Sequence, residues 1–415
     1  MLIPLGLGRR LWGWDSPFEI DSTRRTAIIG ATGSGKSTLL KSILASYLRS
    51  GVGFTLQDPH GELADWTLGM IPRERLKDVI VFAPTPDADR YVQMNPLHGR
   101  ERHKRAKDAI EVVATTWANS WGPQSDFMAR NIAEAILDVV PNPTLLHFDR
   151  AFMSREYVEK LSARAKSPYS RAYFKKTLEE WDRRQAEAAG APPTNKFNTF
   201  MQPVLRHVIG GVTGLDFADI LDSSKILICR LSVGELGDDI ATILAHLVQS
   251  ELLHAGLERQ KTTRRPFHAL VIDEFHKFTR GRNAEQFLNE TRKYNIALTI
   301  ADQGIEQLPE GSEHAVFTNV ESLIIGRVSG TDAERLAKEL PIPEAHTLQR
   351  LPAFQWYGRT LRNGLTTDPI PFAGILAPQP TGKEAKRDRV LAWTRNNYAV
   401  PREIIESNIN RFLAA

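Results

Sequence analysis

Two kinds of apolar pattern alternate along the chain. Short unbroken apolar runs occur at "TAIIG", "GVGFTLQD", "KDVIVFAPT", "SKILICRLS", "HALVIDEF", "IALTIADQ" and "ESLIIGRVS", with helical patterns or loops between them. Runs that are apolar at consecutive positions bury both faces, which suits a parallel sheet covered by helices on either side. From Arg100 to His207 no such run appears; the spacing is helical, with turn signals at "GPQS", "PNPT", "KSPYS" and "AGAPPTN". The tail "KEAKRDRVLAWTRNNYAVPREIIESNINRFL" predicts two amphipathic helices parted at Pro401. The expected organisation is therefore an α/β core in two parts, residues 1–99 and 208–380, with an all-α insert at 100–207 and a helical tail at 381–415.

Composition narrows this without naming a task. A chain of 415 residues exceeds one compact core, and 42% hydrophobic with 25% charged residues is ordinary for a water-exposed globular protein. No window approaches the roughly 18 consecutive apolar residues of a membrane span, and "MLIPLGLGRRLWGW" is too short and interrupted for a signal peptide. A cytoplasmic protein is expected. The single cysteine, Cys229 in "KILICRL", excludes an internal disulfide and reads as a small core residue. A net charge of +4 and a pI near 9.0 lean towards an acidic polymer as partner.

The first chemical signal is "IIGATGSGKSTLL". Gly30, Gly35, Lys36 and Ser37 fill G-x-x-x-x-G-K-[ST] between a strand-like and a helix-like segment, the context a P-loop requires. Glycines let backbone N–H groups curl around a phosphate, and the new helix points its positive end at the anion. Gly30, Ala31, Thr32, Gly33, Ser34, Gly35, Lys36, Ser37 and Thr38 are thus expected to cradle the phosphates. Lys36 would reach the β- and γ-oxygens, and Ser37 would hold Mg²⁺.

The second signal is "HALVIDEFHKF", an apolar strand ending in two carboxylates. Asp273 would meet the Mg²⁺ shell beside the P-loop, and Glu274 would polarise or deprotonate the water attacking the γ-phosphate. Ser37 and Asp273 stand about 236 residues apart, far more than a small nucleotide kinase or GTPase needs, which suggests a machine-like ATPase with a second structural unit. No guanine-reading N-K-x-D motif occurs, so ATP is preferred over GTP.

The motifs "GATGSGKST", "DPHGEL", "NPL", "VIDEFHKF", "NETRKYNIALTIADQGIEQL", "NVESLIIGRVSGTDAERL" and "YAVPREIIESNI" together resemble the TraG/TraD-type coupling ATPases of conjugation, within the HerA–FtsK superfamily. "DPHGE" is also similar to the archaeal HerA helicase. The resemblance spans nearly the whole chain and implies a RecA-like core with an inserted helical domain, working as a DNA-translocating, usually hexameric ring. It implies that Arg292 completes a neighbour's ATP site, that Gln303 senses the γ-phosphate, and that Arg327 is a second nucleotide-linked arginine. Asp58, His60 and Glu62 of the "DPHGE" turn are expected near the nucleotide. Coupling ATPases are commonly anchored by helices ahead of the P-loop, whereas the 29 residues before Gly30 form no span. Two expectations follow: recruitment by a separate membrane or relaxase partner, or a free DNA motor in transfer, packaging, repair or defence.

The insert carries 18 Lys and Arg against 13 Asp and Glu, densest in "GRERHKRAKDA". Such helices fit sequence-independent capture of DNA phosphates and equally fit a solvated face. Trp117, Trp121 and Trp181 would stack bases or fill the helical core, and core packing is the commoner use. An ATP-dependent assembly switch is the competing function class.

Overall fold

The computed structural model describes residues 1–9, 15–118, 121–186, 198–261, 265–278, 288, 290–308, 312–342 and 344–414. The "AGAPPTN" turn lies outside them. The chain forms two compact units: residues 1–83, 217–234 and 252–394 make one, and 84–216, 235–251 and 395–415 the other.

The first unit is built on one sheet. Its strands are β1 (Leu2–Arg9), β2 (Asp15–Asp21), β3 (Thr26–Ile29), β4 (Gly53–Asp58) and β5 (Val79–Phe82). After β6 (Arg90–Val92) of the other unit come β7 (Ile226–Arg230), β8 (His268–Ile272), β9 (Ile296–Asp302), β10 (Ser322–Ile325) and β11 (Gln355–Arg359). A small hairpin, β12 (Leu361–Arg362) and β13 (Leu365–Thr366), precedes β14 (Ile370–Gly374). The spatial order is β2-β1-β14-β11-β10-β3-β9-β8-β4-β7-β5. The seven strands from β10 to β5 are all parallel, with Ile28 level with Ala301 on one side and Ile324 on the other. These are the seven runs read from the sequence. Every residue in them is buried except Arg230, which is half-buried, as expected of strands covered on both faces.

Four antiparallel strands, β2, β1, β14 and β11, extend the sheet beyond β10 and were not expected. Their pattern is alternating: Ile3 and Leu5 are fully buried while Leu2 and Leu7 are more than half exposed. The helix α1 (Lys36–Arg49) covers the sheet, its Leu40, Ile43, Leu44 and Tyr47 joining Ile28, Leu56, Val271 and Ala301 in one core. Each aliphatic side chain so buried contributes about 1.5–3 kcal/mol. The helix ends where Gly51 turns left-handed and the Val52 N–H reaches back to the Tyr47 carbonyl. The Cys229 thiol is buried in β7, and burial pushes its pKa up, so it is an inert core group.

The second unit is helical, and its limits are wider than 100–207. It gains β6, which pairs antiparallel with β15 (Ala399–Pro401), and the segment 235–251, whose Glu251 ion-pairs with Arg105. Helix Lys383–Asn397 and helix Arg402–Ala414 are parted at Pro401 as the pattern predicts. Helix Asp238–Glu258 is long and apolar enough to cross a membrane, yet 78% of its most apolar window is buried inside the protein.

Candidate functional site

The carboxyl ends of the parallel strands converge on the P-loop, the place where open α/β sheets bind ligands. The loop after β3 is pinned on both sides: the Gly30 N–H donates to the Asp302 carbonyl (3.0 Å) and the Ala31 N–H to the Arg327 carbonyl (2.6 Å). Gly33 and Gly35 have φ of +79° and +103°, which only glycine adopts without strain. Helix α1 then starts at Lys36 with no side-chain cap, and while the Thr38 and Leu39 N–H groups donate to the Gly35 carbonyl, the N–H groups of Lys36 and Ser37 are left for an anion. The Lys36 ammonium lies inside the loop, donating to the Gly30 carbonyl at 2.5 Å and to the Ala31 carbonyl at 3.4 Å. Burial lowers its pKa, and the charges of Asp273, Asp302 and Glu274 oppose that shift.

Four carboxylates belong to this site: Asp273, Asp302 and Glu274 act on the Lys36 ammonium, and Asp58 acts on Asp273. Asp273, at the end of β8, is buried; its pKa is pushed up to about 6 by burial and by the charges of Asp58 and Glu274, against Lys36. Asp58, at the end of β4, accepts from the His60 N–H (2.9 Å) and the Ala64 N–H (2.8 Å), so it anchors the turn into α2 (Glu62–Met70). Asp302, at the end of β9 and fully buried, accepts from the backbone N–H and Nδ1 of His276 (2.9 and 2.7 Å) and from the Gln303 N–H (2.7 Å).

Glu274 is the most constrained of the four. Its φ of +49° is left-handed, a conformation that costs a residue with a side chain on the order of 1–3 kcal/mol and collects at functional sites. One carboxylate oxygen accepts from Gln303 Nε2 (2.8 Å); the other meets Lys277 Nζ (2.6 Å) and His60 Nε2 (3.1 Å). Burial alone would raise its pKa, but hydrogen bonds from Lys277, Gln303 and His60 outweigh it and bring the group down to about 2. Gln303 Oε1 in turn accepts from the Thr32 hydroxyl (3.3 Å), so a continuous polar path links the P-loop to Glu274.

The remaining expected residues are placed as follows. Arg327 is exposed at the end of β10, with Nη2 3.5 Å from the Thr32 carbonyl. Ser37 is exposed in the first turn of α1, followed by Thr38; Ser34 is buried, and its hydroxyl has no partner among the described residues. Glu62 is exposed in the first turn of α2. The backbone of Arg292 lies in a helical turn, Thr291–Tyr294, just ahead of β9; its side chain is outside the described residues, as is that of Trp181. No sequence motif assigns a role to Asp302, His276 or Lys277, nor to Arg230, whose guanidinium would lie 2.6 Å from a β-carbon on Gly61.

The residues present fit Mg²⁺. That ion usually takes one or two protein ligands and completes its shell with phosphates and water. Ser37, exposed at the start of α1, and Asp273, at the end of β8, would supply such a pair of oxygen donors.

In the helical unit the basic run divides. Arg105 is buried, its Nη1 donates to both carboxylate oxygens of Glu251 (2.7 and 2.8 Å), and its Nε donates to the Arg100 carbonyl (3.1 Å). It is therefore a structural residue and not a phosphate contact. Arg100, Lys104 and Lys107 are exposed; Trp117 and Trp121 are half-buried.

Comparison with known proteins agrees with the resemblance. Residues 7–207 match the family model described as the central domain of helicase HerA. The bacterial conjugative coupling protein TrwBdeltaN70 has the same fold, with a TM-score of 0.64 at 14% identity over 88% of each chain. TrwB in complex with ADP and Mg²⁺ gives 0.62 at 15% identity, over 87% of this chain and 88% of that one. VirB4 of Thermoanaerobacter pseudethanolicus gives 0.60 at 16% identity, over 90% of this chain and 97% of that one. No curated protein matches the chain. The fold is RecA-like, an α/β core with a large, mostly parallel sheet and a helical region.

Proposed function

We propose that this chain is an ATP-driven DNA translocase, working as a homo-oligomeric and most simply hexameric ring in DNA transfer of the conjugative or type IV secretion kind. The observation that carries the reading is the polar path from Thr32 through Gln303 to Glu274, set beside Lys36 and Asp273. A site that only held nucleotide would need the loop and the lysine. It would not need a strained carboxylate held by a hydrogen bond from Gln303 and charge contacts with Lys277 and His60.

Each residue has a separable task. The Lys36 ammonium and the N–H groups of Lys36 and Ser37 compensate phosphate charge in both ground and transition states. Mg²⁺, held by Ser37 and Asp273, would neutralise charge developing on the β- and γ-oxygens. Glu274 directs the attacking water. With its pKa near 2 it is a weak base while His60 and Lys277 both hold it, so proton abstraction requires that hold to slacken. Gln303 touches Glu274 and Thr32 together, which suits a side chain that reports γ-phosphate to the base. Arg292 would reach the ATP of a neighbouring subunit, making turnover depend on assembly. Exposed Arg100, Lys104 and Lys107 would meet DNA phosphates without reading sequence. The protein would act in the cytoplasm, brought to a membrane channel by a separate partner.

The test is ATP turnover with and without DNA, across a salt series. The motor reading expects DNA to raise turnover and salt to erase the increase. Turnover indifferent to DNA would favour the assembly switch.

A further inference from the structure

Two aromatic rings from the segment entering β11 meet the P-loop, and the fold uses them differently. Trp356 is buried, and β-carbons on Gly30 and Gly326 would come within 3.4 and 2.7 Å of its ring; it is the floor beneath the loop. Phe354 is 41% exposed and has φ of +64°. Its N–H donates to the Ser34 carbonyl (2.9 Å) and its carbonyl accepts from the Gly374 N–H (2.8 Å), so it is fastened between the P-loop and β14. Its ring fills the space a side chain on Gly35 would take, with a β-carbon there only 2.7 Å from Cδ1 and 3.1 Å from Cε1.

Neither ordinary use of a residue explains Phe354. A ring recruited for packing would be buried, and a residue recruited for a left-handed turn would be glycine or asparagine. Here the backbone of a residue two-fifths exposed holds a large ring in an unfavourable conformation, beside the last glycine before Lys36. We propose that Phe354 is the platform on which the purine base of ATP stacks while the triphosphate lies in the loop Gly30–Ser37. The ribose tethers the base close to the phosphates, so its platform must stand beside the loop, where this ring is. An aromatic face is read by any base, so the platform adds affinity more than base identity. The assignment rests on the nucleotide reading of the P-loop and adds the subsite the motifs leave open.

The test is equilibrium binding of two Mg²⁺-loaded probes, a non-hydrolysable ATP analogue and inorganic tripolyphosphate, to the wild-type, Phe354→Gly and Phe354→Tyr proteins. Glycine suits φ of +64°, so the first substitution removes the ring and keeps the loop. Phe354→Gly is expected to weaken the analogue about tenfold, within the range for loss of one stacked base, and to leave tripolyphosphate within about twofold; Phe354→Tyr is expected to bind as wild type. Unchanged affinity for the analogue in Phe354→Gly, or equal loss of both probes, would overturn the platform alone. A wild-type protein that binds neither probe would overturn the nucleotide reading and the platform with it.

Discussion

Glu274 shows what single residues add to a motif. Its position after Asp273 in an apolar strand made it a candidate base, and the structure adds a left-handed backbone, a hydrogen bond from Gln303 and charge contacts with Lys277 and His60. Lys36, Ser37, Asp273 and Glu274 were legible because the P-loop and the acidic strand end are local spacings. Asp302 was not, because it meets His276 only through the pairing of β9 with β8; Lys277 lies three residues from Glu274 and was overlooked because no motif gives it a role. Arg105 was not singled out for a related reason: a cluster of basic letters does not reveal that one of them turns inward to Glu251. Losing a ground-state contact and losing a base have different kinetic signatures. Lys36→Ala should abolish productive ATP binding, while Glu274→Gln should bind ATP and lose on the order of 10²–10⁴ in turnover. Binding and steady-state hydrolysis measured on both proteins check this, and normal turnover in Glu274→Gln would remove it from the mechanism.

At the scale of elements, legibility followed burial. Strands buried on both faces announce themselves as unbroken apolar runs, and all seven were visible. The four antiparallel strands carry alternating or glycine-interrupted sequence; Gly6 in β1, for example, is needed because a β-carbon there would strike the Ala373 carbonyl oxygen at 2.2 Å. Among the helices of the second unit, Leu146–Met153 buries Asp149, one oxygen of which has no partner among the described residues. Burial raises its pKa from 3.8 to about 6. The native state therefore keeps a proton that the unfolded chain releases, so stability falls as pH rises from about 4 to about 6 and stays lower above that. Asp149→Asn should match wild type near pH 4 and exceed it by about 1–2 kcal/mol near pH 8. Denaturant unfolding of the helical unit's signal at both pH values checks the sign, and equal stabilisation at both would mean that the carboxylate is not neutral when buried.

For the whole molecule, a ring whose subunits share their ATP sites can be tested at Arg292. If this arginine completes a neighbour's site, Arg292→Ala should bind ATP yet lose on the order of 10³ in turnover. An Arg292→Ala subunit keeps its P-loop and a Lys36→Ala subunit keeps its arginine, so a mixture of the two inactive proteins should recover partial activity. A mixture that stays inactive although co-assembly is confirmed would return Arg292 to an ordinary surface role. Hydrolysis alone does not make a motor; a translocase moves DNA. The direct measurement is ATP-dependent displacement of streptavidin from the biotinylated end of single- and double-stranded DNA. The wild-type protein should expel streptavidin from at least one of the two, and Glu274→Gln from neither. Vigorous ATP hydrolysis with no displacement from either DNA would contradict translocation.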